Sequence, residues 1–240
     1  MGFRRMVLLG TSVFLSVMLS VVLCQQAAAQ LQKAEPQTRT KPVAFPYGVK
    51  HTNLVVVEQA LYDGPFLEDG STQEVACAMA LVVRNAGIRQ IARGHVVLAG
   101  SSGCWIFEVF DLPPGESALV LERSGKTGIG EGVFFCVGWE ELADTEPTPG
   151  IRIQEVGMGT LRVTNLTDDR QEGIQIRFKT YDEESGMYLG GITYEANVDY
   201  LDPGDTVEVT PYYYVSGRSR IVAIKTKQAP ELPAQELVGS

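Results

Sequence analysis

The sequence predicts an all-β chain of two tandem antiparallel sandwiches, and three observations predict it. Apolar residues recur in short runs or at every second position, turn residues cut those runs at fairly even spacing, and two stretches of the chain resemble each other. Alternation marks a strand with one buried and one wet face. Many short strands with regular turns describe a sandwich or a barrel.

The first element is not part of that fold. Met1-Gly2-Phe3-Arg4-Arg5 is basic, Met6 to Leu23 is apolar and uncharged, and Ala27-Ala28-Ala29 before Gln30 is a small-residue cleavage pattern. Together these make residues 1–29 a secretory signal peptide. Retention of the segment as a membrane anchor is the alternative, since the run approaches spanning length. Either way the two arginines hold the N-terminus inside and the rest is expected outside, secreted or in the extracytoplasmic envelope. Cys24 would suit lipidation, but Leu23 stands where a lipoprotein signal needs a small residue. Without residues 1–29 the chain has 18 basic and 29 acidic residues, a net charge of −11. That balance excludes nucleic acid and anionic lipid as electrostatic partners.

Residues 30–50 are polar with prolines and read as a flexible lead. The expected strands then follow: Leu54 to Val57, Met79 to Val83, His95 to Leu98, Trp105 to Phe110, Ala118 to Leu121 and Val133 to Val137 in a first module, residues 51–142. Residues 143–150, with two prolines and a glycine, form the expected linker. Leu161 to Val163, Ile174 to Lys179, Val207 to Val209 and Ile221 to Ile224 belong to a second module, residues 151–227, and 228–240 are a flexible tail.

Leu81-Val82-Val83-Arg84-Asn85 matches Leu161-Arg162-Val163-Thr164-Asn165, and Leu112-Pro113-Pro114-Gly115-Glu116-Ser117 matches Leu201-Asp202-Pro203-Gly204-Asp205-Thr206. The first match is offset by 80 positions and the second by 89, so the later copy carries extra residues that a longer hairpin at Asp182 to Gly191 would absorb. Two diverged copies of one Ig-like sandwich explain this. Pro-Gly presets a tight turn, and Asn85 and Asn165 end strands where a side chain can cap a turn, so these residues are scaffold. The second copy also carries Phe178-Lys179-Thr180-Tyr181-Asp182 followed by Glu-Glu-Ser-Gly. This resembles the FxLYD domain, a β-sandwich of bacterial secreted and surface proteins, with Thr180 where that family has leucine. The resemblance implies a fold and a compartment, and no chemistry.

Gly100-Ser101-Ser102-Gly103-Cys104 lacks the last glycine and the following helix of a nucleophile elbow. Gly125-Lys126-Thr127 has Val120 where a phosphate loop needs glycine. The acidic pairs at Glu140-Glu141 and Asp168-Asp169 splay to opposite faces or into solvent. Cys77, Cys104 and Cys136 stand among apolar neighbours and are expected to be buried free thiols, with a Cys104–Cys136 bridge as the alternative. No cofactor and no metal site is expected, and no enzyme. Seven of nine tyrosines lie in the second module. Tyr212 and Tyr214, two apart after Pro211 on an expected edge strand, would share a face and form a binding platform. The expected function is therefore a noncatalytic binding module for a protein or glycan partner. A structural spacer or assembly component of an envelope complex is the alternative.

Overall fold

The computed structural model describes residues 44–142 and 150–227. The expected signal peptide, most of the lead, nearly all of the linker and the tail lie outside the described residues. Those described form strands and no helix, and no helix among them is long and apolar enough to cross a membrane. In chain order the strands are β1 (Tyr47–Gly48), β2 (Leu54–Pro65), β3 (Glu74–Asn85), β4 (Ile91–Gly100), β5 (Gly103–Leu112), β6 (Ser117–Leu121) and β7 (Val133–Glu141), then β8 (Ile151–Gly157), β9 (Thr160–Asn165), β10 (Gln171–Asp182), β11 (Met187–Leu201), β12 (Thr206–Val209) and β13 (Ser219–Lys227). Every strand expected from apolar runs lies inside one of these. Three were not foreseen: β1, β8 and β11.

The chain divides into two compact units. Among the described residues, one holds those up to residue 142 together with Asp182–Ile192, and the other holds residues 150–181 and those from Thr193 to Lys227.

In the first unit β1, β2, β3 and β6 pair antiparallel in that order, and β4 lies between β5 and β7 in a second sheet. Val56, Val83 and Ala118 form one cross-strand row, each fully buried. Consecutive positions Val96, Val97 and Leu98 on β4 are all buried, so both faces of this central strand are covered. The tip of the β10–β11 hairpin also belongs here: Tyr188 and Leu189 pair in parallel with Ala118 and Leu119 of β6. Residues 182–192, assigned to the second module from sequence, are corrected to the first unit. Glu68 fastens this segment. Its carboxylate, 1% exposed, accepts the Gly191 N–H at 2.8 Å and the Leu121 N–H at 2.7 Å. A Cβ on Gly191 would collide with the Glu108 carbonyl oxygen, and one on Gly190 with that of Leu67, so glycine alone permits the approach.

The second unit holds β8, β9 and β12 in one sheet, β9 central, and β10 between β11 and β13 in another. Ile174, Ile176 and Phe178 point inward as their alternation predicts, onto Leu161, Val163, Val198 and Ile224. Burying side chains of this size contributes on the order of 2 kcal/mol each.

The same hydrogen-bond set recurs in both units. Asn85 Nδ2 donates to the carbonyls of Arg89 and Leu112 at 2.7 and 2.9 Å, and its Oδ1 accepts the Gly87 N–H. Asn165 Nδ2 donates to Asp169 and Leu201 at 2.8 and 3.0 Å, and its Oδ1 accepts the Thr167 N–H. The Pro-Gly turns close on the same residues, with Gly115 N bonded to Asn85 O and Gly204 N to Asn165 O. Each asparagine is fully buried.

Three further expectations are corrected. The lead ends before residue 50, because Tyr47 and Gly48 pair with β2 and Val49 is buried. Cys77 is exposed, because a β-bulge sets Ala76 and Cys77 opposite Asp63 and breaks the alternation; Cys77 has φ +53° and its N–H donates to Asp63 Oδ1. Tyr212–Tyr214 are not in a strand. β12 stops at Val209, and Pro211 opens a turn-rich loop that runs to Arg218, so strand alternation does not govern these side chains.

Candidate functional site

The aromatic loop of the second unit is built outward from its core. Phe178, 1% exposed, packs against Tyr194 at 5.8 Å between ring centroids and edge-on against Tyr214 at 5.2 Å. Tyr194 in turn packs on Tyr213 at 4.7 Å, and Tyr213 meets Tyr212 edge-on at 4.8 Å. A continuous series of rings thus leads from the core to Tyr212, which is 91% exposed. The loop is pinned by its own bonds: Tyr214 N to Pro211 O, Arg218 N to Val215 O, and Val215 N to Ser219 Oγ.

Tyr212 and Tyr214 therefore do different things. Tyr214 is half-buried, and its hydroxyl donates to Glu155 Oε2 at 3.3 Å. Burial first, and the Glu155 carboxylate second, push its pKa up, so the phenol stays protonated and keeps donating. It is a brace, while Tyr212 and Tyr213 form the outward surface.

Against this loop lies the β8–β9 turn. Gly157 pairs with Thr160, leaving Met158 and Gly159 as a two-residue turn with φ of +38° and +80°. Such turns favour Asn, Asp or Gly. Methionine there costs roughly 1 kcal/mol in backbone strain, and its side chain is 97% exposed. Gly159 packs so closely that a Cβ would lie 2.7 Å from the Tyr214 carbonyl oxygen, and Thr160 and Thr210 hydroxyls bond at 2.9 Å. Turn and loop form one end of the unit, where Val156, Met158, Tyr212, Tyr213 and Val215 are all exposed. Of these, sequence reasoning named Tyr212 alone as a site residue. A methionine between two glycines, Gly157 and Gly159, was the signal that would have added Met158.

Elsewhere the chemistry weighed from sequence resolves into scaffold. Glu122, 3% exposed, accepts the N–H groups of Ser124 at 2.7 Å and Lys126 at 2.9 Å. Those amides are the ones a phosphate would need in the Gly125-Lys126-Thr127 loop, so the chain's own carboxylate sits in the anion's place. Ser101 and Ser102 are exposed in the β4–β5 turn. His95 faces Glu108 across β4 and β5, its Nδ1 3.6 Å from the carboxylate, and burial holds its pKa below the usual value despite that charge. Among the described residues no three His, Cys, Asp or Glu side chains are placed to hold a metal ion. No family model matches this chain, and no curated protein matches it.

Proposed function

We propose that this chain is a noncatalytic binding protein of the extracytoplasmic envelope, built of two Ig-like sandwiches and contacting a protein partner through the end of its second unit. The observation that carries the reading is Met158. A bulky apolar side chain held at positive φ and almost fully exposed serves neither the turn nor the core, and local rules are broken in this way where a surface is kept for contact. Methionine adapts to varied apolar partners, and tyrosine supplies rigid contact area at low entropic cost. Apolar Met158, Val156 and Val215 beside the rings favour a protein surface over a glycan, which would require more hydrogen-bonding groups. The resemblance to FxLYD domains and the N-terminal Arg-Arg, apolar and Ala-Ala-Ala pattern support the compartment. A spacer is the second reading, favoured by the duplicated asparagine scaffold.

The test separates the tyrosines. Tyr212→Ala with Met158→Asn should leave the melting temperature unchanged or slightly raised and weaken retention of an envelope partner more than about tenfold. Tyr214→Ala should cost about 2–4 kcal/mol of folding stability by opening a gap against Phe178. If the first variant retains the partner fully, the binding face is elsewhere and the spacer reading gains.

A further inference from the structure

The first unit holds a second built site. Between the β2–β3 loop and residues 122–128 lies a cavity of about 330 Å³, a volume at the lower end of small-ligand clefts. Both walls are fixed by buried carboxylates. Glu68, between the lining residues Phe66 and Asp69, holds one loop to the Leu121 and Gly191 amides, and a Phe66 N to Gln73 O bond closes that loop. Glu122 holds the other loop through the Ser124 and Lys126 amides. Burying a carboxylate costs several kcal/mol before its hydrogen bonds offset it. Two such groups on facing loops make a wall geometry that is set before any ligand arrives.

The lining names the ligand class. Phe66 forms a half-buried aromatic wall, and Val75 and Ala78 an apolar floor. Gln73 and Thr127 present a neutral amide and hydroxyl at the rim. Asp69 and Lys126 contribute opposite charges, the Lys126 ammonium resting 5.0 Å from the Trp105 ring centroid, while Arg123 is paired with Glu108. The charges cancel at the rim, and both deep carboxylates are already saturated by N–H groups. Neither an anion nor a cation is favoured.

We propose that this cavity binds a neutral saccharide of one or two pyranose rings, with an apolar ring face on Phe66 and hydroxyls on Gln73, Asp69 and Thr127. The site is separate from the aromatic end of the second unit and does not depend on its reading.

Saturation-transfer NMR and calorimetry on the mature chain would use glucose, maltose, cellobiose and the disaccharide of N-acetylglucosamine, with glucuronate and triglycine as charged and peptide controls. At least one neutral sugar is expected to bind at up to about 10 mM. Phe66→Ala and, separately, the milder Gln73→Ala should each weaken it about tenfold at unchanged melting temperature, and Tyr212→Ala should leave it unaffected. Absence of transfer from all four neutral sugars would overturn the proposal. So would affinity that survives both cavity variants, or preferential binding of glucuronate or triglycine.

Discussion

Burial pushes the Cys136 thiol up to about 12, while Cys77 stands exposed on its bulge. Thiolate is the reactive form, so at pH 8 the buried Cys136 should be nearly inert. Labelling of the native chain with a thiol reagent is expected to modify Cys77 first and Cys136 only after denaturation; equal rates for the two would contradict the burial. The alternative Cys104–Cys136 bridge fails for a geometric reason. Cys104 is on β5 and Cys136 on β7, with β4 between them, so two strand spacings of about 4.8 Å part their backbones, beyond disulfide reach. Single residues were legible from sequence wherever one local rule governed them. Asn85 and Asn165 were read as turn caps because strand end and turn stood side by side. Cys77 was misread because a bulge depends on a partner strand, and the shared strand face expected for Tyr212 and Tyr214 does not form because the strand ends at Val209, before Thr210 and Pro211.

Among elements, the β10–β11 hairpin is the informative one. The two copies keep an offset of 80 residues up to the start of this hairpin and 89 after it, and the added length falls in the tip that belongs to the first unit. Sequence comparison located the extra residues; it did not locate their destination, since pairing with β6 is parallel and distant along the chain. Strand β8 was likewise not foreseen, because its Ile151-Arg152-Ile153-Gln154 alternation is short and Glu155 stands where the next apolar residue would be. Gly191→Val is expected to displace the tip, since any Cβ there strikes the Glu108 carbonyl. Glu68 would then lose a donor to a buried charge, about 1–3 kcal/mol. Amide exchange at Leu121 and Gly191 should speed up about tenfold or more, with the Asn165 network of the second unit unaffected. Unchanged exchange at Leu121 would show that the glycine is not what admits the tip.

For the whole molecule, the all-β class was legible because periodicity and turn chemistry report on every strand at once. The proposed contact surface was legible only in part. Tyrosine enrichment pointed to the unit that carries the proposed surface, but that surface is assembled from two loops that lie more than fifty residues apart, and no local pattern joins Met158 to Tyr212. Of the large apolar side chains exposed among the described residues, Val156, Met158, Tyr212, Tyr213 and Val215 share this one end, and such a cluster suits a partner met through it. The most direct test is site-specific photocrosslinking of the full-length chain in cells of its native host, with a photoreactive phenylalanine placed at Tyr212, at Met158 or at the exposed control position Glu195. The account predicts one and the same protein adduct from positions 212 and 158 and none from 195. Adducts from 195 alone, or no discrete adduct from either loop position, would contradict it.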